Sequence, residues 1–137
     1  MSLNKMFVDT NVWLYAFVRI DAERDKNRTA AALIKKHVIV ISSQIINEVC
    51  VNLIKKTHMD ETAISELISS FYRRYEVVEP NREIILDASR LRDRYRFSFW
   101  DSLLVASAIH AGAKRFCTED MQEGLVVDGK LRITNPF

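Results

Sequence analysis

Only two cysteines occur in this 137-residue chain, Cys50 and Cys117, each inside an apolar segment and neither in a CxxC-type ligand pair. They are too few for a disulfide framework, and this usage points to a reducing compartment, the cytoplasm. Glycine and proline are also scarce, at three and two residues. The chain has no repeats, low-complexity tracts or long linkers. Long hydrophobic runs are missing as well. The apolar stretch from Met6 to Val18 is interrupted by Asp9 and Asn11 and is too short to cross a bilayer, so neither a membrane span nor a signal peptide is expected. Excess charge is absent: 20 basic and 18 acidic residues leave a net +2. Bulk electrostatics therefore neither demands nor excludes a nucleic-acid partner, and any attraction must be local. What is present is 48% hydrophobic content, enough for one continuous core in a single domain over residues 1–137.

Along the chain, short β-favouring runs alternate with helical patterns. Lys5 to Val8 reads as a strand ending at Asp9, and the following NVWLYAFV as a short helix packed by Val12, Trp13, Ala16 and Phe17. A polar stretch, DAERDKNR, leads into the helix-favouring TAAALIKK. After His37 comes VIVI, a β-branched run of the kind buried on both faces of a parallel sheet. Ser42 and Ser43 offer N-caps to a helix with Ile45, Ile46, Val49, Cys50, Leu53 and Ile54 at helical spacing. A further helix runs from Asp60 to Arg73 with Ile64, Leu67, Ile68 and Phe71 inward. The short strand YEVV and the turn at Pro80 follow, and then a helix capped by Asn81 and continuing to about Arg96. WDSLLVASAIHAGA is apolar almost all round, as expected of a helix packed between other elements, and Gly112 is placed to end it. RFCT reads as a strand before Glu119 and Asp120. The final LVVDGKLRI makes either a hairpin at Asp128-Gly129 or a turn and an edge strand.

This alternation implies an α/β fold: a three-layer α/β/α sandwich with a mostly parallel central sheet of four to five strands, right-handed crossovers and helices on both faces. In such sheets functional groups collect outside the carboxyl ends of the strands. Four acids fall where an apolar segment meets a turn or helix: Asp9, Glu48, Asp101 and Asp120. Each has an ordinary alternative. Asp9 suits a helix N-cap, Asp101 the positive end of its helix, Glu48 the solvated flank of an amphipathic helix, and Asp120 a turn. Their concurrence at one sheet edge favours a shared site. Gathered carboxylates repel one another, and the usual reason to assemble them is a hard divalent cation, Mg²⁺ or Mn²⁺. Glu119, Asp93 and Glu123 are less well placed and read as surface or rim.

VDTNV, SSQIINEV, FWDSLLVASA and CTEDM, in that order and covering essentially the whole chain, resemble the PIN domain (PilT N-terminus). The likeness is nearest to the ribonuclease toxins of VapBC-type toxin–antitoxin pairs. It implies that Asp9, Glu48, Asp101 and Asp120 are the catalytic, metal-holding acids, with Asn11 and Thr118 as supporting polar residues. It also implies hydrolysis of RNA phosphodiesters to a 5′-phosphate and a 3′-hydroxyl, a small antitoxin partner, and homodimerisation. Four negative charges come close to balancing two Mg²⁺ ions, which in the two-metal scheme stand roughly 3.5–4 Å apart; the expectation is one or two ions.

Basic residues concentrate in Arg19 to Arg28 and in Arg82 to Arg96, the second interleaved with Tyr95, Phe97, Phe99 and Trp100. Arg90, Arg94 and Arg96 are candidate RNA contacts, since guanidinium groups bind phosphate and aromatic faces stack on unpaired bases. The equal alternative is a solvated face balanced by Asp87 and Asp93, with the aromatics in the core. No histidine reads as a general base: His37 precedes a strand, His58 is near a helix end and His110 lies on an apolar helix. Asp9-Thr10-Asn11-Val12 also resembles the nucleophile motif of haloacid-dehalogenase-like phosphatases, with Asp9 as nucleophile and Lys114 and Asp120 as later motifs. There Asn11 would have to be the general acid, which an amide cannot be, and Glu48 and Asp101 would have no role. A catalytically silent module that binds RNA or protein is the third reading.

Overall fold

The computed structural model describes residues 4–137. The chain begins with β1 (Lys5–Val8), α1 (Thr10–Phe17), a 3-10 turn at Asp21–Glu23, α2 (Arg24–Lys36), β2 (Val38–Ser42) and α3 (Ser43–Thr57). It continues with α4 (Glu61–Arg74), β3 (Glu76–Val78), α5 (Arg82–Tyr95), α6 (Phe99–His110), β4 (Ala113–Cys117), β5 (Val126–Val127) and β6 (Leu131–Thr134). The polar DAERDKNR stretch is thus itself helical, because Arg24 to Arg28 form the first turns of α2.

Side-chain caps set the helix starts. Ser42 Oγ accepts from the Ile45 amide, Asp60 from Ala63, Asn81 from Ile84 and Ser98 from Asp101. Each satisfies an amide that the helix itself leaves unpaired. The stop after α6 is made by Gly112, whose φ of +76° is open to glycine and costly to residues with a Cβ.

The sheet has six strands in the order β3-β2-β1-β4-β6-β5, one more than the upper expectation, the sixth being the two-residue β5 of the hairpin alternative at Asp128-Gly129. All neighbours are parallel except β5 and β6, so LVVDGKLRI is a hairpin, and its second strand extends the sheet beside β4. Asp128 and Gly129 both take positive φ at its turn. The chain steps from β1 to β2 to β3 in one direction and returns across both to place β4 on the other side of β1. With right-handed crossovers this reversal puts α1–α4 on one face and α5 and α6 on the other. The helix contacts agree, α1 packing on α2 and α3, and α5 on α6.

The core lies between these layers. Phe7 and Phe116 meet across β1 and β4 with ring centroids 5.1 Å apart. Trp13 packs edge-on against Phe71 and Tyr75 while its indole Nε1 donates to Val8 O at 3.1 Å. In VIVI, Ile39, Val40 and Ile41 are buried as expected, but Val38 is 47% exposed because it opens the strand at the sheet rim. Phe17, expected inward, packs its ring on Trp13 and Phe71 but stays 43% exposed at the last turn of α1. Among the described residues no helix is long and apolar enough to cross a membrane.

Candidate active site

The reversal of strand order makes β1 and β4 neighbours, and the crevice beyond their carboxyl ends is where an open α/β sheet holds a ligand. Register brings the relevant residues level. Val8 pairs with Cys117, the Asp9 amide donates to Cys117 O at 2.9 Å, and the Thr118 amide to Thr134 O at 3.0 Å. Asp9 and Thr118, far apart in sequence, therefore leave the sheet side by side.

Asp9 is 8% exposed. One carboxylate oxygen, Oδ1, accepts from the Thr10 amide at 2.7 Å, and Oδ2 accepts from Thr118 Oγ1 at 2.7 Å. The acid caps α1 and faces the crevice at once, so its ordinary and functional readings coincide. Burial lifts its pKa from 3.8 to about 6, with Glu48 and Asp101 adding like-charge repulsion, while the two hydrogen bonds pull the other way. No lysine or arginine stands among the groups that act on it. A buried acid with acidic neighbours and no basic partner is an unbalanced charge.

Glu48 lies in the second turn of α3, which starts directly after β2 and overhangs the same edge. Thr10 Oγ1 donates to its Oε2 at 2.6 Å and Gln44 Nε2 to its Oε1 at 3.2 Å. The carboxylate is thus turned inward and fixed, unlike that of a solvated flank. Asp101 sits in the first turn of α6, its amide held by Ser98 Oγ at 3.1 Å, and its charge is felt at Asp9. Asp120 is exposed and joined to the cluster indirectly. Asn11 Nδ2 donates to its Oδ2 at 2.8 Å, and its own amide donates to Thr118 Oγ1 at 3.1 Å.

The structure therefore brings Asp9, Glu48 and Asp101 within electrostatic reach, with Asp120 at the rim through Asn11 and Thr118. Among the described residues, no three acidic, histidine or cysteine side chains stand close enough to enclose one ion. Glu48 is drawn to Thr10 and Asp120 to Asn11. The donors nonetheless suit a hard cation. They are all oxygens, their charge is uncompensated, and two buried amide oxygens, Asn11 Oδ1 and Gln44 Oε1, accept no hydrogen bond.

Thr10 and Gln44, the two side chains that hold Glu48, were not assigned by sequence reasoning. The signal for Gln44 was its place one turn before Glu48 on the same helix face. Glu119 is held away from the cluster by Tyr15 OH at 2.7 Å and Lys26 Nζ at 2.9 Å. Histidines take no part: His37 Nδ1 bonds Leu33 O, His58 ends α3 in a left-handed conformation, and His110 Nε2 bonds Asp87 Oδ2 at 2.6 Å. Lys114 is the second residue of β4 and lines a groove with Asn4, Lys5 and His37 at the amino edge of the sheet. That is the edge opposite Asp9, which leaves the phosphatase reading without its lysine.

Of the arginines proposed to touch RNA, Arg90 pairs with Asp128 at 2.7 Å and with Asp87 at 3.7 Å, and Arg94 pairs with Asp128 at 3.7 Å. Arg96 has no acidic partner among the described residues; it is exposed, in a left-handed conformation (φ 62°) between α5 and α6.

The PIN domain family model matches residues 6–122, spanning every element of this crevice. The chain belongs to the PIN domain family. Solved structures show the same fold at low identity. A toxin–antitoxin complex from Klebsiella pneumoniae superposes with a TM-score of 0.72 at 18% identity, covering 96% of this chain and 98% of that one. The DNA-bound VapBC of Salmonella typhimurium gives 0.69 at 16% identity, covering 97% and 98%. The sarcin–ricin-loop-cleaving toxin VapC20 of Mycobacterium tuberculosis gives 0.63 at 20% identity, covering 81% and 86%. No curated protein matches the sequence. The six-stranded sheet with its reversal at β1 and β4 is thus the PIN fold in this chain.

Proposed function

We propose that this PIN domain is a Mg²⁺- or Mn²⁺-dependent endoribonuclease and the toxin of a VapBC-type pair. The observation that carries the reading is Asp9: a carboxylate buried at the β1–β4 crevice, raised to about 6, and surrounded by acids with no basic partner. Family membership supports a nuclease, and the sarcin–ricin-loop-cleaving neighbour supports RNA as the substrate.

Asp9, Glu48 and Asp101 would hold the ion or ions, with Asp120 at the rim. Such an ion supplies activation of water and neutralisation of the charge that develops on the phosphodiester. The protein's own contribution is positional. Thr118 and the Thr10 amide fix both oxygens of Asp9, Thr10 Oγ1 and Gln44 fix Glu48, and the start of α6 fixes Asp101. Asn11 steadies Asp120. A small antitoxin partner follows from the toxin reading, since several neighbours are toxin–antitoxin complexes, and homodimerisation is proposed with it on the family resemblance alone.

The test is cleavage of transfer, ribosomal and messenger RNA with Mg²⁺ or Mn²⁺, against excess chelator. Asp9→Asn and Asp101→Asn should each lower cleavage by at least about 100-fold with the fold intact by circular dichroism, the order expected for loss of a principal electrostatic group. Products should carry 5′-phosphates. Undiminished cleavage in chelator would defeat the metal reading, and RNA binding without cleavage under either metal would leave the silent module.

A further inference from the structure

The aromatic residues of Arg82 to Arg96 and the segment that follows divide sharply. Tyr95 and Phe97 are half-buried and stacked on each other, 5.5 Å apart at 21°, and Tyr95 OH is tied to Asp128 at 3.0 Å. Phe99 and Trp100 are 59% and 63% exposed. They open α6 immediately before Asp101, with ring centroids 5.6 Å apart at 75°. The Arg92 guanidinium lies 4.2 Å from the centre of the Phe99 ring and is held there by Nη1 donating to Ser102 Oγ at 2.9 Å. Arg92 thus rests on Phe99, and Trp100 is left as the exposed indole of the pair. Arg96, exposed and without an acidic partner among the described residues, stands in the short connection three residues before Phe99.

Two large aromatic rings left exposed side by side, directly before Asp101 in the chain, form the kind of apolar surface that marks an interaction site. Flat aromatic and guanidinium groups beside unpaired positive charge match single-stranded RNA, whose bases offer π-faces and whose phosphates offer negative charge. Resting on the ribonuclease reading, we propose that Trp100, backed by Phe99 and Arg92, is the stacking platform for an unpaired base next to the phosphodiester to be cut. Trp100 is then a positioning residue. Its stack sets which linkage of a flexible strand comes to rest over Asp9 and Asp101, with Arg96 holding a neighbouring phosphate.

The chain has two tryptophans, and Trp13 is 1% exposed, so changes in indole emission on adding RNA report Trp100. The full-length Asp9→Asn protein, titrated with a short single-stranded RNA, should show saturable quenching, whereas the same sequence as a blunt duplex should not. By anisotropy of labelled RNA, Trp100→Ala should weaken binding about 5- to 100-fold, the loss of one base–aromatic stack, and Trp100→Phe should stay within about threefold. In the otherwise wild-type chain, Trp100→Ala should also shift or blur the cleavage positions, which Trp100→Phe should preserve. Unchanged emission together with unchanged affinity in Trp100→Ala overturns the proposal. So does a Trp100→Ala chain that alters sedimentation without altering RNA affinity, since this face would then join two copies. Quenching lost in Trp100→Ala, in a protein that cuts no RNA under any metal, upholds the platform and rejects the ribonuclease. Cleavage indifferent to Trp100→Ala does the reverse.

Discussion

Asp9 illustrates how one residue serves structure and chemistry against each other. As an N-cap it favours α1, yet burial beside Glu48 and Asp101 lifts its pKa from 3.8 to about 6. The sign follows from linkage. A carboxyl with a raised folded pKa is protonated in the folded chain and ionised in the unfolded one between those values, so stability falls as pH rises from about 4 to about 6 and stays reduced above. A shift of this size corresponds to roughly 3 kcal/mol at most. In chelator at pH 7.5, Asp9→Asn, which keeps a capping side chain, should therefore be more stable than the parent, by up to about 3 kcal/mol in urea melts. Below pH 4 the difference should vanish. A variant less stable than the parent at pH 7.5 would show that Asp9's hydrogen bonds outweigh its desolvation. Added Mn²⁺ should raise the melting temperature of the parent and leave that of Asp9→Asn unchanged.

At the scale of elements, the site depends on where helices start. Glu48 is presented because α3 begins directly at the end of β2, and Asp101 because Ser98 fixes the first turn of α6. Ser98→Ala removes the hydrogen bond to the Asp101 amide and should cost about 1 kcal/mol of stability. It should also lower cleavage more than it lowers RNA affinity, measured as a fall in kcat with little change in KM, because Asp101 loses its fixed position while Trp100 stays exposed. The β5–β6 hairpin is fastened to α5 through Asp128, which accepts hydrogen bonds from Arg90 and Tyr95 and forms a looser ion pair with Arg94. Arg90 and Arg94, candidate RNA contacts in the sequence, also meet Asp128, a partner more than thirty positions away that local pattern does not reveal.

For the molecule as a whole, one sheet with helices on both faces makes a single core, and its centre is β1 against β4. Phe116 is fully buried there against Phe7. Phe116→Ala should cost about 3–5 kcal/mol and lower the midpoint of one cooperative urea transition rather than split it. Much of this architecture was legible. Strand runs, caps at Ser42 and Asn81, and the stop at Gly112 each occur where local pattern placed them, while Asp60, expected to open its helix, caps it instead. Short-range physics writes such signals directly into neighbouring residues. The helical start of α2 and the 43% exposure of Phe17 were not legible, because each depends on what a distant element covers.

Local pattern by itself determined the order of strands and helices and the four acids worth watching, since caps and periodicity act over a few residues. Only the tertiary structure decided which of those acids meet. Placing β4 beside β1 sets Thr118 on Asp9, and packing α3 above that edge sets Thr10 on Glu48. Burial, which raises Asp9 and spares Trp100, is likewise a property of the assembled layers and of no segment alone.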